Sequence, residues 1–151
     1  MARELASIFC CKQVDLDEFI AEHEKMPVSE ILQQRGEVYF RKIETHYLKK
    51  VLESGVEIIS LGGGAWIIEE NRKLIKEFGY ITLWLDSTFE RCWANIQASK
   101  QTRPLAKDRK TAEKLFFERQ KFYVLADFHF FIKPHTTPYE IASSIANELK
   151  L

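Results

Sequence analysis

Short apolar segments alternate with longer amphipathic segments along this chain, and this alternation constrains the fold more than any other feature of the sequence. β-Branched and aromatic residues predict strands at 13–16, 57–61, 81–85 and 128–132. Apolar residues at helical spacing predict helices around and between them. Most of the predicted strands are apolar on both faces. We therefore expect an α/β fold, with a parallel sheet that carries helices on both faces.

The composition is that of a folded domain. Of 151 residues, 46% are hydrophobic and 13% are aromatic, which is far above what disordered chains contain, so we expect a single domain over 1–151. Lys and Arg together number 22, and so do Asp and Glu. Because proteins that bind nucleic acids or acidic membranes usually carry a basic excess, neither is expected as a partner. The three cysteines suggest no disulfide framework, and we expect a cytoplasmic protein.

Two carboxylates follow the first predicted strand. In open parallel sheets, ligands bind beyond the carboxyl ends of the strands, so residues at these positions are the first candidates for a site. Asp15 and Asp17 stand two positions apart, which places them on the same side of an extended chain. Such a pair suits a cation or a substrate that bears a hydroxyl group. The alternative, which the sequence alone slightly favours, is that Asp17 only caps the next helix.

Three consecutive glycines, Gly62, Gly63 and Gly64, follow the second predicted strand. Because three glycines in a row cost conformational entropy on folding, they indicate a backbone that turns sharply or approaches a ligand closely. Backbone N–H groups exposed in such a loop suit an anion. The alternative is an unusually tight turn, and the run is not a dinucleotide-binding fingerprint.

Three arginines are candidates for binding an anion. Arg41 and Arg119 lie on predicted helices beside apolar faces, and Arg103 lies in a polar loop. A guanidinium group matches a carboxylate or a phosphate in a bidentate way, so arginines that converge on one cleft bind anionic substrates. Taken singly, each is better explained as a solvated or snorkelling surface arginine. The segment 101–110 is rich in Lys and Arg and is either a lid over phosphates or an ordinary solvated loop.

Five short segments, in order along nearly the whole chain, carry a family pattern. They are Val14-Asp15-Leu16-Asp17-Glu18-Phe19-Ile20, Gly36-Glu37-x-x-Phe40-Arg41-x-Ile43-Glu44, Leu61-Gly62-Gly63-Gly64-Ala65, Arg103-Pro104-Leu105 and Arg119-x-x-x-Tyr123-x-x-Ala126-Asp127. Together they resemble shikimate kinases. The resemblance implies a nucleoside-monophosphate-kinase-like fold. It also implies transfer of the γ-phosphate of ATP, with Mg²⁺, to the 3-hydroxyl of shikimate in aromatic amino-acid biosynthesis.

The same resemblance implies a shikimate-binding segment at about 17–45. Asp17 is expected to hold and deprotonate the shikimate hydroxyl, and Arg41 and Arg119 are expected to bind its carboxylate. Gly63 is expected to contact the substrate through its backbone, with Gly62 and Gly64 supporting the loop. These roles agree with phosphoryl transfer as a reaction that depends mainly on positioning and electrostatic stabilisation.

For the nucleotide side, the resemblance implies a lid at about 101–112. Arg103 is expected to contact ATP and to neutralise charge on the transferred phosphoryl group. Asp15 is expected to hold Mg²⁺ through water. The partners expected from the resemblance are shikimate and ATP, and we expect a monomer.

One part of the family pattern is missing from the printed sequence. The family opens with a strand and a G-x-x-G-x-G-K-[ST] loop that binds the ATP phosphates, and no such segment occurs here. We therefore expect the first, central strand to be absent, and the first two strands to be separated from the last two. We also expect this chain to be an incomplete, inactive form of the kinase. The alternatives are a shikimate-binding regulatory module without ATP binding, or a related small-molecule kinase of the gluconate type.

Overall fold

The structure is a computed structural model that describes residues 1–99, 105 and 108–149. Its helices are α1 (Ala2–Phe9), α2 (Leu16–Glu24), α3 (Val28–Glu53), α4 (Glu69–Glu77), α5 (Phe89–Ala98), α6 (Arg109–Tyr123) and α7 (Pro138–Leu149). Its strands are β1 (Gln13–Asp15), β2 (Ile58–Ser60), β3 (Leu83–Asp86) and β4 (Phe128–Phe131), and a short 3₁₀ helix covers Ala65–Ile67. The predicted alternation of strands and helices is confirmed.

The strands form two separate pairs. β1 is parallel to β2, with Asp15 beside Ser60 at the carboxyl end of the pair. β3 is parallel to β4, with Asp86 beside Phe131. The expected parallel pairing is therefore confirmed, but the described strands form two small sheets and not one continuous sheet.

A cavity of about 860 Å³ lies between the two pairs. It is lined by all of β2, by Leu61 and by 83–85 of β3, together with Leu5 of α1 and Ile145 of α7. The side chains of successive strand residues point to opposite faces of a sheet. Since consecutive residues of both β2 and β3 line the cavity, it runs along the edges of these two strands. In the described part of the chain, no strand lies between β2 and β3. The expected separation of the two strand pairs is confirmed.

The main hydrophobic core lies in the N-terminal half, 1–79. α3 bends at Gly36, whose φ of 80° separates a first helical segment from a second one. On the second segment, the buried residues Phe40, Tyr47 and Val51 form one face of the helix. The core cluster consists of Leu16, Ile20, Ile31, Phe40, Tyr47, Leu48, Val51, Leu52, Val56, Ala65 and Ile75. This core holds α2 and α3 against the β1–β2 pair.

The C-terminal half, 80–149, buries less apolar surface. Its buried apolar residues are Phe89, Ala112, Ile141, Ala142 and Ile145. Its exposed large apolar residues are Ile81, Phe117, Val124, Leu125, Phe128, Phe131 and Tyr139. The expectation of strands covered on both sides therefore does not hold for β4, whose residues are mostly exposed. None of the helices in the described ranges has the length and hydropathy needed to cross a bilayer.

Candidate active site

The register of β1 and β2 brings the acidic segment and the glycine run together. Asp15 lies beside Ser60, so the residues that follow these two positions leave the sheet side by side. As a result, the carboxylate of Asp17 lies against Gly62, where an added Cβ would be 3.0 Å from Asp17 Oδ1. The candidate site therefore begins at the carboxyl ends of the first strand pair.

The two aspartates have different structural roles. Asp15 Oδ1 accepts hydrogen bonds from the backbone N–H groups of Asp17 (3.0 Å) and Glu18 (3.1 Å), so Asp15 caps α2. The alternative in which Asp17 caps this helix is wrong, because the helix begins at Leu16, earlier than predicted. Asp17 belongs to the first turn, and its side chain is directed to the glycine run.

Arg41 lies between two glutamates on α3. Its Nη1 donates to both carboxylate oxygens of Glu44, at 3.0 and 2.8 Å, and its Nη2 donates to Glu37 Oε1 at 3.0 Å. Burial lowers the pKa of Arg41, but the charge and the hydrogen bonds of Glu44 and Glu37 outweigh it and raise the pKa overall. The Arg41 side chain is only 20% exposed, so it is not a solvated surface arginine.

Glu44 is a site residue for which the sequence reasoning assigned no role. Its side chain is 1% exposed, and it lies among the apolar residues of α3, four positions after Phe40. Burial raises the pKa of Glu44, Arg41 opposes that rise, nearby Asp17 adds to it and Arg119 opposes it. The charges of Arg41, Asp17 and Arg119 therefore all act on the carboxylate of Glu44. The available signal was a carboxylate in the apolar stripe of a helix, three positions after an arginine.

Each of the three consecutive glycines makes room for a different polar side chain. A Cβ at Gly62 would meet Asp17, one at Gly63 would meet Arg119 and Tyr123, and one at Gly64 would overlap the guanidinium of Arg41. None of the three has a positive φ. The run therefore leaves room for these side chains, and none of its residues needs a left-handed backbone. It joins the candidate residues from α2, α3 and α6 at one loop.

Arg119 and Tyr123 bring α6 to this loop. Arg119 Nη1 would lie 3.0 Å from a Cβ at Gly63, and its buried Nε has no hydrogen-bond partner among the described residues. The Tyr123 hydroxyl donates to the carbonyl oxygen of Gly63 at 2.9 Å. Burial raises the pKa of Tyr123, and the charge and hydrogen bond of Arg119 oppose the rise. Tyr123 belongs to a quoted motif, but the sequence reasoning gave it no function.

The nucleotide side is described only in part. Arg103 lies outside the described residues, and of the expected lid at about 101–112 only Leu105 and the residues from Asp108 onward are described. Across 1–99, 105 and 108–149, no group of three or more His, Cys, Asp or Glu side chains is arranged to hold a metal ion. One or two carboxylates are what Mg²⁺ takes from a protein when phosphates and water complete its ligands, so Asp15 and Asp17 fit that kind of site.

This arrangement can bind a small organic acid that carries hydroxyl groups. Two guanidinium groups and one carboxylate face a single glycine loop. The guanidinium groups of Arg41 and Arg119 can pair with a carboxylate, and Asp17 can accept a hydrogen bond from a hydroxyl. Asp17, Arg41, Gly62, Gly63, Gly64 and Arg119, all predicted from the sequence, are brought together.

Comparison with known proteins identifies the family. The family model described as shikimate kinase matches residues 1–150. The chain is 31% identical over 137 residues to the shikimate kinase of Persephonella marina, covering 91% of this chain and 82% of that protein. It is 34% identical over 143 residues to that of Rhizobium meliloti, covering 91% and 73%. The solved shikimate kinase of Aquifex aeolicus superposes with a TM-score of 0.81 at 30% identity, covering 99% of this chain and 87% of that one. The expected kinase-like α/β fold is confirmed, and the chain belongs to the shikimate kinase family.

Proposed function

We propose that this chain carries the shikimate side of an ATP-dependent phosphotransferase, and that the glycine loop, 62–64, is the centre of that site. The observation that supports the proposal is the contact of each glycine with a different candidate residue: Asp17, Arg119 or Arg41. Family membership makes the protein a phosphotransferase and favours shikimate over a gluconate-type substrate.

The two arginines bind the carboxylate of shikimate. Glu37 and Glu44 hold Arg41 from one side, which restricts the guanidinium before the substrate arrives. Arg119 Nε has no partner among the described residues, so this group has hydrogen-bonding capacity left for a ligand. Because hydrogen bonds between charged groups contribute about 1.5 to 3 kcal/mol, losing one arginine pairing weakens binding by at least about tenfold.

Asp17 holds the 3-hydroxyl and accepts its proton during attack on the γ-phosphate of ATP. Its carboxylate borders Gly62, on the same loop as both arginines, so one ligand can reach all three groups. Asp15, whose Oδ1 caps α2, holds Mg²⁺ through water, and the metal neutralises charge on the phosphates when it is bound. Arg103 completes the nucleotide side from the lid at about 101–112.

We extend the proposal to compartment, domain and oligomeric state. Cys10, Cys11 and Cys92 form no disulfide bond, which suits a reducing cytoplasm. We propose a monomer. We also propose one domain over 1–151, which the packing of α1 against α7 supports, since it joins the two ends of the chain. Gel filtration with light scattering tests the oligomeric state.

Isothermal calorimetry tests the substrate site. We expect wild-type chain to bind shikimate, and Arg41→Lys and Arg119→Lys to weaken binding by at least about tenfold, since lysine cannot form the same bidentate pair. Arg35→Lys is the matched control, because Arg35 lies on the same helix and pairs with Glu24 away from the loop. Unchanged affinity in both site variants, or no binding by folded wild type, would disprove the proposal.

A coupled assay with ATP tests the activity of the 151 residues themselves. The printed sequence contains no G-x-x-G-x-G-K-[ST] segment, so we expect shikimate binding without turnover by these residues alone. Measurable phosphorylation of shikimate by the purified chain would contradict this expectation.

A further inference from the structure

The two arginines of the candidate site come from different halves of the molecule. Arg41 belongs to α3 in the N-terminal half, and Arg119 belongs to α6 in the C-terminal half. In the described part of the chain, the strand pairs of these halves are not hydrogen-bonded to each other. The sheet therefore does not determine the distance between the two guanidinium groups, and other contacts must do so.

Tyr123 makes the most direct of these contacts. Its hydroxyl donates to the Gly63 carbonyl oxygen at 2.9 Å. Arg119 precedes it by four residues, so both side chains leave the same face of α6. Their polar ends meet at the glycine loop, where a Cβ at Gly63 would lie 2.6 Å from the Tyr123 hydroxyl and 3.0 Å from Arg119 Nη1. The ring also contacts Trp84 of β3, at 5.9 Å between ring centroids. One residue therefore contacts the glycine loop, Arg119 and the second strand pair.

A second hydrogen bond joins the same two elements. Trp66, in the 3₁₀ helix that follows the glycine run, donates from Nε1 to the carbonyl oxygen of Phe122 at 2.9 Å. Its own carbonyl accepts from Arg72 Nη1 at 2.6 Å, which anchors it to α4. The loop and the end of α6 are thus joined by two bonds that involve the adjacent residues Phe122 and Tyr123.

We propose that Tyr123 is a positioning residue for substrate binding: it sets Arg119 against the glycine loop so that one carboxylate can bridge Arg119 and Arg41. The inference rests on the proposed shikimate site. Tyr123 acts through Arg119 and the Gly63 carbonyl, not through contact with the ligand. An aromatic ring suits this task because it has only two side-chain torsions and the hydroxyl lies at a fixed distance from the backbone.

The test compares Tyr123→Phe with Tyr80→Phe. Tyr80 is a matched control, because its hydroxyl also donates to a backbone carbonyl, that of Val56 at 2.6 Å, outside the site. Calorimetry is carried out with shikimate and with its uncharged methyl ester. We expect Tyr123→Phe to weaken shikimate binding about three- to tenfold, the effect of one lost hydrogen bond, and to leave the affinity for the ester unchanged. Tyr80→Phe should change neither.

A cycle with Arg119→Lys identifies the route of the effect. If Tyr123 acts through Arg119, adding Tyr123→Phe to Arg119→Lys causes no further loss of affinity, because coupled residues are not additive. Additive losses would overturn the proposal, and so would an equal loss for shikimate and ester, since that indicates a merely structural role. If thermal melting shows Tyr123→Phe to be unfolded, Trp66→Phe, which removes the other bond to α6, is used with the same criteria.

The outcomes separate this inference from the function on which it rests. If wild-type chain binds shikimate and Arg119→Lys weakens that binding, the proposed site stands. Wild-type affinity in Tyr123→Phe then overturns the positioning role alone. If folded wild-type chain does not bind shikimate, both proposals are overturned.

Discussion

The two halves of this molecule hold their functional residues in different ways. In 1–79, a continuous apolar core packs α2 and α3 on the first strand pair, and Asp17, Arg41 and the glycine loop all project from this unit. In 80–149, fewer apolar residues are buried and many are exposed, and Arg119 reaches the site through contacts with the glycine loop. The comparison shows that most of the candidate site depends on local core packing, whereas the position of Arg119 depends on the junction between the halves.

The largest expected difference between the two halves is in the unfolding free energy lost when an ion pair is broken. Glu44→Ala leaves the half-buried Arg41 without its nearest partner, and breaking a buried pair in this way costs about 3 to 5 kcal/mol of unfolding free energy. Glu90→Ala removes the exposed partner of Arg109 in the C-terminal half, where the two side chains are 69% and 52% exposed, and should cost less than about 1 kcal/mol. Urea unfolding measures both. Equal losses would contradict the comparison.

The next largest effect compares the loss of a buried apolar side chain in the N-terminal half with the loss of an exposed one in the C-terminal half. Ile20 is fully buried in the N-terminal core, so Ile20→Ala should cost about 2 to 5 kcal/mol, through lost apolar burial and the cavity that remains. Phe117 in the C-terminal half is 60% exposed, and Phe117→Ala should change stability by no more than about 0.5 kcal/mol. The urea concentration at the unfolding midpoint measures both losses, provided that the slope of unfolding free energy against urea concentration is unchanged. A loss at Phe117 as large as that at Ile20 would show that this surface is buried in solution.

A smaller effect distinguishes two kinds of glycine. Gly79 has φ 76° and open space around it, so Gly79→Ala should cost about 1 to 2 kcal/mol of stability and leave shikimate binding unchanged. Gly64 has no positive φ but faces Arg41, so Gly64→Ala should displace that guanidinium and weaken binding by at least about tenfold. Thermal melts and calorimetry on both variants separate the effects. Normal binding by Gly64→Ala would refute the space argument.

The smallest effect is a pH dependence in the C-terminal half. Side-chain and backbone hydrogen bonds from Thr82 lower the pKa of Asp127, at the start of the β3–β4 pair. A carboxylate with a lowered folded-state pKa stabilises the fold fully above its ordinary pKa, and this contribution is lost as the pH falls from that value through the lower folded-state pKa. Asp127 is exposed, and solvent screening weakens the effect, so we expect Asp127→Asn to cost less than about 1 kcal/mol at pH 7 and the difference from wild type to shrink at pH 3. A constant difference at both pH values would contradict the role of ionised Asp127.

Much of this architecture could be predicted from short stretches of sequence. The order of strands and helices follows from periodicity, and the break of α3 follows from Gly36. Ser87 and Thr88 are both local signals for the cap of α5, and the structure has Thr88 as the cap. The resemblance to shikimate kinases further predicted the separation of the two strand pairs and the roles of the candidate site residues. The assignment of the α2 cap to Asp17 failed because a shift of two residues in the helix start exchanges the roles of two aspartates.

The sequence by itself therefore determined the α/β pattern and the residue types of the site, because both depend on local spacing along the chain. Only the tertiary structure decided what each residue does there. Glu44 became the buried partner of Arg41 because the face of α3 that carries it packs into the core. The space that the glycines leave at 62–64 is taken by Asp17, Arg41, Arg119 and Tyr123, which are distant in sequence. Contacts of this kind depend on how the elements pack, and no local pattern encodes that packing.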